Sequence, residues 1–427
     1  MENKKVVEQE NKEHSYFYSL ELEGINCFKD NQTLDLSDEQ GNYSPWTIIL
    51  GDNGTGKTTL LRVLDRMQPV ESTHENQLFS NPIFAFEYIL KNSMLDDSKA
   101  KLFINKNDSK AYLSIQLNHG NAEIFGYKNT NSFLISYGAS RRMSKNTNLS
   151  KLGENKNKNT SLFDESLELL NAEEWYLQKF LAYSTADNGI KIKLEQQLSL
   201  IRKVLIDFLP DVLDLGIKEI KTVNDKSSLE VKINENEWIN LRDLSFGYQT
   251  LTALLVDIAS KMMEQYPNSL NPLEEPAIIL IDEIDLHLHP KWQRTVIDKL
   301  SHHFPKAQFI ATSHSPLIVQ AALDKKANIV VCRKEGDKVV IDNDPDEVKG
   351  WRVDQILTSD LFEVESPRSK ITQEMLDEYM ILKGKSNLTK KDKEKIDELA
   401  PNIEKAYPKT KSDLDDKLSK FAEKYLK

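Results

Sequence analysis

Between Trp46 and Leu64 the chain passes from an apolar, β-branched run into a glycine-rich loop and then into a helix-forming stretch. No other feature of the 427 residues constrains the fold as tightly. Trp46-Thr47-Ile48-Ile49-Leu50 reads as a buried strand. Gly51-Asp52-Asn53-Gly54-Thr55-Gly56-Lys57-Thr58 follows, and the apolar periodicity that begins at Thr59 and Leu60 reads as a helix. The glycines let backbone N–H groups turn inward around an anion, and the helix adds the positive end of its dipole. This is a cradle for nucleotide phosphates. Asn53, Gly54, Thr55, Gly56 and Thr59 are expected to surround them, with Lys57 reaching the β- and γ-phosphates and Thr58 offering its hydroxyl to Mg²⁺.

Three downstream segments complete the chemistry. Ile278 to Ile281 is an apolar strand that delivers Asp282 and Glu283 to its C-terminal end, where parallel sheets place ligands. Asp282 is expected to hold Mg²⁺, through water, and Glu283 to orient or deprotonate an attacking water. Phe309 to Thr312 reads as the next strand. His314, just beyond it, is placed to hydrogen-bond a γ-phosphate or that water. Leu244-Ser245-Phe246-Gly247-Tyr248-Gln249 precedes a helix, putting Ser245, Gly247 and Gln249 where a second phosphate binder would stand. Alone, Ser245 is a plain helix cap. The chain already has one phosphate loop, so the simplest expectation is that this segment binds the nucleotide of a neighbouring copy. In Asp285-Leu286-His287-Leu288-His289-Pro290 the two histidines have no third ligand nearby. They are read as a loop that turns Asp285 and His287 toward a second protomer, not as a metal pair.

Residues 17–22 and 32–36 alternate as two strands of a small sheet, with a turn at Phe28-Lys29-Asp30. Residues 111–117 and 132–137 are also strand-like, and 217–223 and 229–233 follow later. The short apolar runs 277–281, 308–312 and 328–332 alternate with helices, as in a parallel sheet. Residues 140–160 are rich in Asn, Lys and Ser and read as an exposed loop, carrying Arg141, Arg142, Lys145, Lys151, Lys156 and Lys158. A solvated loop is the plain reading, and contact with nucleic acid or a partner's acidic face the sharper one. Phe163, Leu167, Leu170, Leu177 and Leu181, then Leu194, Leu198, Ile201, Leu205 and Phe208, fall at helical spacing and suggest a helical hairpin. Past Ser366 the chain is charged and helical, with breaks around 384–387 and at Pro401. The expected organisation is therefore an N-terminal lobe (1–140), a basic mobile loop (141–160), a helical-hairpin insertion (161–210), a C-terminal lobe (211–365) and a charged helical extension (366–427) that offers a docking or oligomerisation surface.

The formal net charge of −11 means that the chain is not coated for nucleic acid, so any such contact must be local. No apolar run is long enough to span a bilayer, no secretory signal is read at the start, and two cysteines, Cys27 and Cys332, build neither a disulfide framework nor a zinc cage. A cytoplasmic location is the expectation.

Taken together, the phosphate loop 51–58, the signature 244–249, the Walker B segment 278–283 and the switch histidine His314 resemble the ABC-class ATPases. The His-Leu-His-Pro run after Glu283 resembles the RecF, OLD and SMC branch. The resemblance covers about residues 15–360. It implies an α/β, ABC-type P-loop NTPase head that binds ATP and Mg²⁺ and closes as a homodimer around ATP. Ser136 to Arg142, Ala172 to Trp175, and Gly350 to Leu357 with Leu361-Phe362 resemble the Septu-type ATPases of bacterial anti-phage operons, with PARIS-type and RloA-like ATPases next. That resemblance implies a separately encoded HNH nuclease as partner, and higher assemblies built from dimers. The sequence departs from the ABC pattern in having no clear glutamine between phosphate loop and signature. Gln116 is one candidate, and Arg141 and Arg142 are candidates for related work near the phosphates. Neither a nuclease domain nor an HNH histidine cluster is read in the chain. The competing readings are a RecF/SMC-like repair or recombination ATPase acting directly on DNA, a transporter subunit, and an ATP-sensing scaffold without turnover.

Overall fold

The structure is a computed structural model that describes residues 14–67, 97–104, 112–118, 121–126, 133–144, 161–209, 220–223, 228–232, 238–345, 351–359, 361–362, 366, 369–385 and 388–406. The expected loop residues 145–160 lie outside them. The chain divides into two compact units, Met1–Val353 and Asp354–Lys427.

The first unit runs β1 (Ser19–Glu23), β2 (Gln32–Asp35), β3 (Trp46–Gly51), α1 (Lys57–Arg66), β4 (Asp97–Phe103), β5 (Tyr112–Asn118), β6 (Asn121–Gly126) and β7 (Leu134–Tyr137). It continues through α2 (Ala172–Thr185), α3 (Asn188–Phe208), β8 (Ile220–Val223), β9 (Ser228–Lys232), β10 (Trp238–Asn240), α4 (Phe246–Gln265) and β11 (Ala277–Ile281). It ends with α5 (Pro290–Gln293), α6 (Val296–His303), β12 (Ala307–Thr312), α7 (Pro316–Asp324), β13 (Asn328–Glu335) and β14 (Lys338–Asp342).

Among the described residues, the site is built on a six-stranded sheet of order β14-β13-β3-β12-β11-β7. Its strands are parallel except for β14, which turns back along β13. Every residue of β11 and β12 is buried, and all of β3 but its last, so both faces are covered and these strands read as continuous apolar runs. Ile49, Leu60, Leu61 and Leu64 pack with Ile278, Leu280, Ile310 and Val330 in one core. Each such side chain contributes about 1.5–3 kcal/mol on burial. The same core includes Leu20, Leu22 and Leu34 of an antiparallel sheet of order β2-β1-β4-β5-β6. A third sheet, β10-β9-β8, is also antiparallel.

Three sequence expectations change here. The hairpin's first helix starts at Ala172, so Phe163, Leu167 and Leu170 precede it. Asn171 caps it, its Oδ1 accepting from Glu174 N at 3.0 Å, and Glu173 and Glu174 suit the positive end of the helix. Phe163 serves instead as a platform for the Arg66 guanidinium, 3.8 Å from the ring centre. The helix after the signature begins at Phe246, so Gln249 lies inside its first turn. In the second unit, α8 (Val353–Leu357, beginning on the boundary), α9 (Lys370–Lys383) and α10 (Lys390–Ala406) follow, and α10 continues through Pro401. Pro401 is exposed, so the lost hydrogen bond falls on the solvent side, while Ile396 and Leu399 pack with Leu382, Met375 and Tyr379.

Candidate nucleotide site

The phosphate loop joins β3 to α1, and its geometry follows from its glycines. Gly56 caps α1 at φ 79°, a left-handed conformation, and a Cβ there would meet Cys27 Sγ at 2.5 Å and the Phe28 ring at 2.7 Å. Thr55 is buried, its hydroxyl donating to Asp52 O at 2.8 Å to close the loop. Lys57 folds over the loop and donates from Nζ to Gly51 O at 2.9 Å and Asp52 O at 2.8 Å. Burial lowers its pKa, and nearby Cys332, Asp282 and Glu283 oppose that shift. An ammonium held over the loop this way is free to exchange backbone carbonyls for phosphate oxygens.

Asn53, Gly54, Gly56, Lys57, Thr58 and Thr59 share an open cleft of about 320 Å³ with Asp282, Glu283 and His314. Asn26 and Cys27, which sequence reasoning did not place at the site, also line it. Asp282 is buried and receives two hydroxyls. Thr58 Oγ1 donates to its Oδ2 at 2.8 Å, and Thr312 Oγ1 donates to its Oδ1 at 2.6 Å. The Thr312 hydroxyl also accepts from Glu283 N at 2.7 Å. Sequence reasoning missed Thr312, although a polar residue ending an apolar strand was a visible signal. Thr58 and Asp282 form a hard oxygen pair of the kind that suits Mg²⁺.

His314 is held from behind. Asp285 Oδ1 accepts from Ser313 Oγ at 2.7 Å and from His314 N at 3.3 Å. Asp285 therefore serves its own cleft in this chain. His289 caps α5, its Nδ1 accepting from Lys291 N at 3.2 Å. His287 sits edge-on to Phe246, with ring centres 4.9 Å apart. No group of three or more His, Cys, Asp or Glu placed to hold a metal occurs among the described residues.

The signature residues stand apart from this cleft. Ser245 is exposed at the N-cap of α4, with no hydrogen bond from its side chain to the helix. Gly247 lies so close to His287 that a Cβ would come 2.4 Å from its carbonyl oxygen. Gln249 Nε2 donates to Leu244 O at 2.8 Å. Gln116 lies in β5, paired with Lys99 and Glu123 in the antiparallel sheet.

The basic loop begins differently from its expected form. Arg141 is buried and points at the backs of Asp282 and Glu283, donating to both backbone carbonyls. Arg142 pairs with Glu168 at 3.1 Å. Neither residue lines the cleft.

A phosphate loop at the end of β3 and paired carboxylates at the end of β11, two strands away in a parallel sheet, give the chain the layout of a P-loop nucleotide-binding domain. The chain belongs to the family described as "AAA domain, putative AbiEii toxin, Type IV TA system", which matches residues 47–320. It is related to the Septu protein PtuA of Bacillus mycoides, 27% identical over 379 residues, which are 88% of this chain and 48% of that protein. The chain thus spans about half the length of that relative. It is also similar to the Septu protein PtuA of Bacillus thuringiensis, 27% identical over 384 residues, 87% of this chain and 88% of that protein. Among solved structures it is similar to the SMC head domain from Thermotoga maritima, with 14% identity, a TM-score of 0.42, and coverage of 77% of this chain and 99% of that one. No helix among the described residues is long and apolar enough to cross a membrane.

Proposed function

We propose that the protein hydrolyses ATP in this cleft and uses the nucleotide to control a separately encoded nuclease in anti-phage defence. The observation that carries the catalytic part is the Thr312 hydroxyl, which joins the Asp282 carboxylate to the backbone of Glu283. It sets a metal-binding carboxylate and a base at a fixed offset across the mouth of the phosphate loop. Lys57 binds the β- and γ-phosphates, and Thr58 and Asp282 would hold Mg²⁺. Bound there, Mg²⁺ offsets charge on the phosphate oxygens. Glu283 takes a proton from the attacking water, and His314 stabilises the γ-phosphate.

The second part is assembly. Ser245 and Gly247 line no part of their own chain's cleft, yet they stand at the start of a long helix, Ser245 exposed and Gly247 half-buried. That supports an ATP-sandwiched dimer in which they meet the partner copy's triphosphate, with higher oligomers built from such dimers. Similarity to Septu PtuA supports the nuclease, of HNH type, as the regulated partner. Direct action on DNA is the weaker reading, because the chain carries a net charge of −11 and, within the 141–160 loop, Arg141 is buried and Arg142 is paired.

The test is steady-state ATP turnover of the protein and of Glu283→Gln, followed by size measurement with ATP. Turnover lost in the variant, with ATP-loaded dimers accumulating, supports the reading. Wild-type turnover in Glu283→Gln removes the base assignment. Co-expression with the neighbouring gene tests the partner: no complex and no nuclease activity removes the defence role.

A further inference from the structure

Glu283 adopts φ 48°, a left-handed conformation that a non-glycine residue holds only when its surroundings fix it. Both peptide planes flanking it are fixed. On the N–H side, Glu283 N donates to Thr312 Oγ1 at 2.7 Å and Ile284 N to Thr312 O at 2.9 Å, both on β12. On the carbonyl side one side chain reaches both planes: Arg141 Nη1 donates to Asp282 O and Nη2 to Glu283 O at 2.9 Å, and Leu286 N adds a second bond to Glu283 O at 2.9 Å. Nη1 also donates to Gly138 O at 2.8 Å, tying the fork to its own turn after β7. The placement follows from sheet order, since β7 is the edge strand beside β11 and delivers Arg141 behind the carboxylates.

Arg141 is only 3% exposed, and its Nε is buried without a partner. None of its hydrogen bonds goes to a carboxylate, although Asp282, Glu283 and Asp285 surround it and oppose the effect of burial, which lowers its pKa to about 10. A buried guanidinium spent on three carbonyls is a costly way to stabilise a core and an effective way to fix backbone. Its planar fork spans two carbonyls at once, and an ammonium in its place is a point charge on a flexible stem.

We infer that Arg141 is a positioning residue for hydrolysis: it clamps the two peptide planes around Glu283 so that the carboxylate stays aimed into the cleft. This rests on the reading of Glu283 as the base. Nucleotide binding, which depends on Lys57 and the loop amides, does not need the clamp.

The experiment measures turnover and the affinity for a fluorescent ATP analogue in the full chain, for wild type, Arg141→Lys, Arg141→Ala and Glu283→Gln. In Arg141→Lys, kcat is expected to fall at least about tenfold while the analogue's Kd stays within about threefold. In Arg141→Ala, millimolar guanidinium ion is expected to restore part of the lost kcat and to leave wild type unchanged. If Arg141→Ala does not fold, Arg141→Lys decides. A kcat for Arg141→Lys near wild type, or a Kd that rises in step with the loss of kcat, overturns the inference. Wild-type turnover in Glu283→Gln instead overturns the base assignment, so the two failures are distinguishable.

Discussion

Thr312 Oγ1 lies 2.6 Å from Asp282 Oδ1, so the strand between the phosphate loop and the carboxylates supplies the hydroxyl that orients the Asp282 carboxylate. The same oxygen accepts the Glu283 amide proton. Thr312→Val keeps the shape and removes both bonds. Leaving two buried polar groups unpaired costs about 1–3 kcal/mol each, so the denaturation midpoint falls and kcat drops roughly 10- to 100-fold. Thr312→Ser keeps most of both. Equal kinetics for the valine and serine variants would show that the hydroxyl is idle.

Asp285 gives a graded test of His314. One carboxylate oxygen receives both Ser313 Oγ and His314 N. Asp285→Ala frees the switch segment and is expected to lower kcat about tenfold, whereas Asp285→Asn keeps an acceptor and loses only about two- to threefold. Single-turnover rates of the two variants separate these outcomes.

Gly247 separates assembly from binding. A methyl group at this position meets the His287 carbonyl, and backbone must shift at a cost of about 1–3 kcal/mol. In a Glu283→Gln background, Gly247→Ala is expected to abolish ATP-dependent dimers in light scattering while each chain still binds the nucleotide analogue. Dimers of undiminished stability would place the signature outside the shared interface.

Acid sensitivity has an identifiable contributor far from the cleft. Burial pushes the His14 imidazole down to about 4, and its Nε2 has no partner. The folded pKa lies below the unfolded value of about 6.5, so the folded state binds fewer protons. The contribution of His14 to stability is complete above about pH 6.5 and declines as pH falls toward 4. Thermal melts of His14→Phe across this range should lose less stability on acidification than wild type, and parallel curves would acquit His14.

The parts of the site that were legible in the sequence are those encoded locally. The phosphate loop, the strand carrying Asp282 and the cap at Ser245 are each specified by a few consecutive residues. Lateral order in the sheet is not local. The strand at 134–137 was readable as a strand, but nothing in its own residues says that it lies beside β11, and without that neighbour Arg141 reads as a cation of a basic loop or a candidate near the phosphates, not as a residue behind the carboxylates. The intrachain partners of Asp285, Ser313 and His314, are hidden in the sequence for a similar reason: they arrive just beyond the next strand. The hairpin's first helix begins later than the leucines at 167 and 170 suggest, because the cap at Asn171 outweighs their helical rhythm.

The separation of the two halves of the cleft is set by the lateral spacing of β3, β12 and β11. Two interstrand steps amount to about 9.5 Å, whatever chain lies between them. The polypeptide that leaves β3 and returns at β11 includes a whole peripheral sheet and the helix pair of α2 and α3. Such excursions are able to lengthen, shrink or acquire new sensors during evolution while the chemistry keeps its gauge.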